Sequence, residues 1–203
     1  MQILLTEQDI QQRLVNSALA AGFDSVGYAE IIPDGKKEIK CAAVLLPLAW
    51  HVDEWFLVFT RRTERVESHK GQVSFPGGAC DGEEKTPEET ALREAHEELG
   101  IQPQEVRILG RLADLLTISY YQVTPVVGII PWPYVFHVEN AEVARVFTIP
   151  LAWLADPSNK WQFKLPGEHR ELICYHPYDG ELLWGATARI TVNFLDTLGY
   201  PLN

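Results

Sequence analysis

Apolar positions recur at helical spacing in three stretches of the chain and at strand spacing in several others. In "TEQDIQQRLVNSALAAG" (6–22), Ile10, Leu14 and Ala18 fall on one face. Thr6 and Asp9 are start signals and Gly22 follows the end, which predicts an N-terminal helix within residues 1–22. "TPEETALREAHEELG" (86–100) predicts the clearest helix. Thr86 is an N-cap with Glu89 three residues on, Pro87 takes the first helical position and Gly100 the C-terminal cap. "GATARITVNFLDTLG" (185–199) predicts a closing helix, with Ala188, Val192, Leu195 and Leu198 on one stripe.

Between them lie strand patterns. "CAAVLLPLAW" (41–50) and "EWFLVFTRR" (54–62) read as buried strands joined at "HVD". "QVSF" (72–75) is a short strand that ends at "PGG" (76–78), where Pro and two Gly predict a loop. "EVRILGRL" (105–112) and "YQVTPVVGII" (121–130) follow as strands with a polar turn between, then the loop "PWPY" (131–134). "EVARVFTI" (142–149) is a strand, "PLAWLAD" (150–156) a short helix, and "KWQFKL" (160–165) with "ELICYH" (171–176) a hairpin. Strands and helices intermingle, which predicts one α/β domain over residues 1–203, a mixed sheet with helices on both faces.

The 203 residues suit one large domain, and 46% hydrophobic with 22% charged residues is ordinary for a soluble protein. Apolar runs are too short and too interrupted by proline to span a bilayer, and "MQILLTEQDI" has no basic cluster before a long apolar core. The expectation is a cytoplasmic protein with no membrane partner. Cys41, Cys80 and Cys174 stand in no metal-ligand spacing, so they are expected to be reduced thiols, Cys80 an inert one. A net charge of −11 argues against a general duplex-DNA binder, and no nucleic-acid partner is expected. That charge is uneven. Residues 61–70 carry a local +2 and residues 81–98 a local −6. A basic loop ahead of an acidic helix suits an anion and a cation held together.

The acidic helix concentrates Glu94, Glu97 and Glu98. Positions three and four apart are neighbours, where like charges repel by a few tenths of a kcal/mol. The opposite stripe, Ala91, Leu92, Ala95 and Leu99, is apolar, and Arg93 can pair with Glu97. A solvated face is the bland reading. The sharper one is a ledge for a hard divalent cation, Mg²⁺ or Mn²⁺, whose oxygen-ligand preference suits carboxylates. Upstream, "FPGG" (75–78) lets backbone approach a ligand closely, because glycine has no Cβ.

The stretch 77–101, "GGACDGEEKTPEETALREAHEELGI", resembles the box of the Nudix hydrolases, G-x5-E-x7-R-E-U-x-E-E-x-G-U. Arg93, Glu94, Ala95, Glu97, Glu98, Gly100 and Ile101 fit its second half. In its first half the expected Gly and Glu fall on Ala79 and Lys85, and a loop one residue longer gives those roles to Gly78 and Glu84. The chain is also similar to the coenzyme A diphosphatase branch. "VFTRRTERVESHKGQVSFPGG" (58–78) supplies Thr60, Arg62, Gly71, Phe75, Pro76, Gly77 and Gly78 of that branch's signature, with Thr63 where Ser is usual and Glu67 where Arg is usual. "YYQVTPVVGIIP", "EVARVFTIPL" and "LLWGATARI" extend the similarity over roughly residues 40–199.

The resemblance implies a Nudix α/β/α sandwich and metal-dependent hydrolysis of a nucleoside diphosphate derivative. On coenzyme A the products are adenosine 3′,5′-bisphosphate and 4′-phosphopantetheine. It implies Glu94 and Glu98 as main metal ligands, Glu97 as a third, and the backbone of Gly78 beside them. One of these acids, or Glu139 or Glu142 downstream, is the base. Arg93 belongs to the catalytic set, and Arg62, Arg65, Lys70, Gly77 and Gly78 to the substrate. Tyr120, Tyr121 and Trp132 are packing residues or stacking partners for adenine. The small-molecule nucleotide is the expected partner, with a homodimer as the possible assembly. Two rivals stand beside this reading: the same chemistry on ADP-ribose, NADH or a nucleoside triphosphate, and a non-catalytic nucleotide sensor.

Overall fold

The computed structural model describes residues 5–20, 38–64, 70–164 and 171–200. Helix α1 spans Glu7–Ala20. Thr6 and Asp9 cap it reciprocally: Asp9 N donates to Thr6 Oγ1 at 3.2 Å and Thr6 N to Asp9 Oδ2 at 2.9 Å. The rest of the predicted first helix, through Gly22, lies outside the described residues, as do Arg65 and Glu67.

Among the described residues, eight strands join one mixed sheet. They are β1 (Lys40–His51), β2 (Glu54–Arg62), β3 (Val73–Ser74), β4 (Gly77–Ala79), β5 (Arg107–Arg111), β6 (Leu115–Leu116), β7 (Tyr121–Ile129) and β8 (Val143–Pro150). The remaining elements are α2 (Pro87–Leu99), α3 (Leu151–Ala155), the antiparallel pair β9 (Lys160–Lys164) and β10 (Glu171–Tyr175), and α4 (Gly185–Thr197). The β1–β2 turn places Val52 and Asp53 at φ 47° and 60°, the backbone that suits a tight hairpin. β1 runs parallel to β7 along one edge.

The other edge of β1 forks. Leu48–His51 pair with β2, while Ala42–Val44 pair with β4. β2 diverges and pairs with β3 through Thr60 and Arg61, and with β8 along its far edge. Residues 73–79 cross the fork, with Leu45 N donating to Pro76 O at 2.9 Å on the way. This corrects the expected "PGG" loop. Gly77–Ala79 is a strand because the open edge of β1 supplies its hydrogen bonds, which outweighs the poor strand propensity of glycine. Leu115–Leu116, expected in a polar turn, likewise pairs with β7.

Alternation along β1 divides the interior in two. Ala42, Leu46 and Leu48 face a core built with α1, α3 and α4. Ala43, Leu45 and Ala49 face a second core closed by Ala91, Ala95 and Leu99 of α2. Helices therefore cover both faces, as expected. Ala188, Val192, Leu195 and Leu198, the predicted stripe of the closing helix, are all buried. No helix among the described residues is long and apolar enough to cross a membrane.

The cysteine expectation is also corrected. Cys41 and Cys80 form a disulfide with Cα atoms 5.4 Å apart, and Cys174 is a buried free thiol. The two lie 39 positions apart in sequence, and the β1–β4 pairing sets them opposite each other. Reading 76–78 as a loop hid that proximity. Closing a loop of this length constrains the unfolded chain by about 4 kcal/mol in the chain-entropy account.

Phe59 is fully buried and stacks on Phe75 at 4.7 Å and Phe147 at 5.8 Å, joining β2, β8 and the crossing segment. Phe59→Ala is expected to lower the unfolding free energy by about 3–5 kcal/mol. Chemical denaturation followed by tryptophan fluorescence checks this, and a loss under about 1 kcal/mol would contradict the packing role.

Candidate active site

Helix α2 begins at the predicted capping box, with Thr86 accepting from Glu89 N and Glu89 accepting from Thr86 N. It ends at Gly100, φ 69°, where the left-handed backbone closes the last turn. Its apolar stripe packs on β1 and β4, which turns Glu94 and Glu98 toward the fork. Glu88 bonds Arg111 of β5 through both carboxylate oxygens and pins the first turn to the sheet.

The approach of α2 to β4 is close enough to require glycine. A Cβ on Gly78 would lie 2.5 Å from the carboxylate carbon of Glu94. One on Gly77 would lie 2.4 Å from the carbonyl oxygen of Ala43. The first obstacle is the end of a flexible side chain and the second is fixed backbone.

Glu98 is the most buried carboxylate of the set, its side chain 5% exposed. One oxygen, Oε1, lies 3.5 Å from Arg62 Nη1, and Gly77 N–H also supports the carboxylate. The other, Oε2, is buried without a hydrogen-bond partner. Burial pushes the Glu98 carboxyl up to about 8, with Glu94 and Glu142 adding to the rise and Arg62 opposing it. Burial also raises Glu94, while Arg93, 2.8 Å away, opposes the rise. Arg62 reaches across to Glu142, whose Oε2 lies 3.8 Å from Nη2. Glu142 stays exposed, and Thr63 fixes its backbone by donating N–H to Glu142 O at 2.8 Å and Oγ1–H to Ala141 O at 2.8 Å.

Arg93 ties the long loop to the helix. It donates to Glu84 Oε1 at 2.5 Å, to Glu97 Oε2 at 2.9 Å and to Ala79 O at 3.1 Å. Glu84 is itself anchored by Thr90 Oγ1 and Asp81 N. The one-residue-longer loop thus delivers Glu84 to Arg93, and the sequence spacing alone left that role open.

The expected residues divide accordingly. Glu94, Glu98, Arg62, Glu142, Gly77 and Gly78 converge at the fork. Glu97 is turned aside, 56% exposed and paired with Arg93. Lys70 is exposed on the turn before β3 and makes no ion pair with those acids. Arg65 lies outside the described residues. Glu139 serves its own loop, accepting from Ala141 N at 2.9 Å. Trp132 and Tyr121 pack against the two cores.

No three His, Cys, Asp or Glu side chains among the described residues already converge as a cation cage. Two hard carboxylates with one unpartnered buried oxygen nevertheless fit Mg²⁺, which takes one or two protein carboxylates and fills its shell with water and substrate phosphate.

Comparison with known proteins agrees with this geometry. The sequence matches the NUDIX domain family over residues 42–183. It is 41% identical over 152 residues to the Nudix hydrolase NudL of Photorhabdus laumondii, covering 73% of this chain and 80% of that one. NudL of Yersinia enterocolitica is 40% identical over 152 residues, covering 73% and 76%. A MutT/nudix family protein from Enterococcus faecalis superposes with a TM-score of 0.56 at 13% identity, over 98% of this chain and 76% of that one, a likeness of fold. The chain belongs to the Nudix family.

Two predictions follow from the geometry. Gly78→Ala moves only a flexible carboxylate, so stability should fall by less than about 1 kcal/mol while hydrolysis drops at least about tenfold. Paired melting and rate measurements check it, and unchanged turnover would separate Glu94 from the reaction. The second concerns pH. Between about 4.5 and about 8 the folded protein keeps a proton on Glu98 that the unfolded chain has lost. Metal-free stability should therefore fall as pH rises through that window, by up to about 1.4 kcal/mol per pH unit. Denaturant titrations at stepped pH should show the slope in the native protein and its absence in Glu98→Gln.

Proposed function

We propose that the chain is a Mg²⁺- or Mn²⁺-dependent pyrophosphohydrolase that cleaves coenzyme A or its derivatives to adenosine 3′,5′-bisphosphate and 4′-phosphopantetheine. The observation that carries the reaction type is the Glu94–Glu98 pair at the fork, with its unpartnered Oε2 beside Arg62. The substrate rests on the similarity of residues 58–78 to the coenzyme A branch.

In this reading Glu94 and Glu98 would hold the cation beside the backbone of Gly78, and Glu97, which Arg93 holds aside, would be the third carboxylate near it. The bound cation supplies neutralisation of the charge that builds on the pyrophosphate oxygens. Arg62 offers a planar pair of donors to a phosphate. Arg93 fixes the direction of Glu94 and holds Glu97. Water attacks one phosphorus in line with the departing phosphate oxygen. Glu142, exposed and facing Arg62, takes the proton, since Glu94 and Glu98 are committed to the cation and Glu139 to its own loop. Gly77, Arg65 and Lys70 complete the substrate set.

Mass spectrometry of products resolves the substrate. The protein is incubated with Mg²⁺ and coenzyme A, acetyl-coenzyme A, ADP-ribose and NADH. Release of 4′-phosphopantetheine far faster than AMP from the other compounds is expected. Glu67, at a position where the coenzyme A branch carries Arg, favours the rival substrates, and turnover of ADP-ribose alone would overturn the proposal. Glu98→Gln should lower kcat by several orders of magnitude without loss of fold, and undiminished turnover would place the cation elsewhere.

A further inference from the structure

The disulfide lies one alternation along the sheet from the active-site glycine. Cys41 and Cys80 occupy the same face as Ala43 and Gly78, two residues further along β1 and β4. Cys80 N–H donates to Cys41 O at 3.1 Å, so the bridge doubles the last backbone link of the ladder. Immediately beyond it the chain leaves the sheet. Asp81 N donates to Glu84 Oε2, Glu83 N to Asp81 Oδ1, and Glu84 then grips Arg93 and Thr90. Arg93 is the residue that orients Glu94. A continuous line of contacts thus joins the sulfurs to a carboxylate at the fork. Cys41 is exposed and Cys80 half-buried, so the bridge is open to solvent.

We propose that Cys41–Cys80 is a thiol–disulfide exchange site that sets the rigidity of the loop 80–86 and, through Glu84 and Arg93, the activity of the site. The reductant is a dithiol. Its thiolate attacks Cys41 Sγ, the S–S bond breaks, and Cys80 leaves as a thiolate that takes up a proton. The second thiol of the reductant then displaces Cys41. The protein gains two thiols and two electrons, and the dithiol becomes a disulfide. A small-molecule disulfide such as oxidised glutathione reverses both steps. Exposed bridges are the ones that exchange readily, whereas Cys174, buried within β10, is shielded from such reagents.

The test compares the oxidised full-length protein with protein reduced by a phosphine and then freed of it. Amide hydrogen exchange is the first measurement and needs no substrate. Reduction should speed exchange at Cys80, Asp81 and Glu83 at least fivefold, while amides of α4 change less than twofold. Turnover is the second and rests on the proposed hydrolase function: kcat should fall at least threefold on reduction, with KM changed less than twofold, and return with oxidised glutathione. Cys41→Ser should match the reduced protein under both conditions. Equal loop exchange in the two states would overturn the proposal whatever the substrate, as would three titratable thiols after glutathione disulfide treatment. Altered exchange with unchanged kcat would overturn the link to Arg93. If Cys41→Ser fails to fold, the comparison of the two native states decides alone.

Discussion

The structure depends on how closely α2 lies against the β1–β4 ladder. Gly78 permits that distance, against the carboxylate of Glu94, and Gly77 permits the ladder itself, against the carbonyl of Ala43. A side chain on Gly77 would force the β1–β4 ladder apart, and one on Gly78 would push the Glu94 carboxylate aside. Seated as it is, α2 buries a carboxylate whose Oε2 has no partner. Burying a charge without full compensation is costly, and the protein meets the cost by raising the affinity of Glu98 for a proton. In the proposed function the same cost would favour a cation there, since binding would restore what desolvation removed.

Arg93 and Arg62 share the work of holding that arrangement, and they differ in kind. Arg93 is locked between Glu84, Glu94, Glu97 and the backbone of Ala79, which leaves its guanidinium little freedom to follow a ligand. Arg62 stands 3.5 Å and 3.8 Å from two carboxylates, beyond good hydrogen-bond geometry for either. One arginine serves the architecture of the helix, and the other, in the proposed function, would exchange its partners for a phosphate.

The helix was legible in the sequence because its signals are local. The capping box, the Pro87 start, the Gly100 stop and the apolar stripe lie within fifteen consecutive positions. The turning of Glu97 toward Arg93 was legible for the same reason, as an i, i+4 pair. What escaped were pairings between distant segments. Glycine and proline at 76–78 read as a loop, because strand formation there comes from the free edge of β1 and not from their own propensity. Missing β4 in turn hid the disulfide, since Cys41 and Cys80 are neighbours only through that pairing. Glu84 was reachable by counting, but its bond to Arg93 depends on how the longer loop folds back. The reach of Glu88 to Arg111 crosses from helix to sheet and has no sequence signature.

The partition of the interior into two cores separates the face that carries the carboxylates from the face that α1 and α4 cover. The family match begins at residue 42 and ends at residue 183, so α1 and α4 both fall outside it, and both pack on the face away from the carboxylates. That face carries no chemistry in this reading. Its helices are held by apolar burial together with tethers such as Thr187 Oγ1 donating to Val73 O and Arg189 Nη2 to Glu171 O. An engineer has there a scaffold surface on which a tether or a partner domain could be built without disturbing the fork.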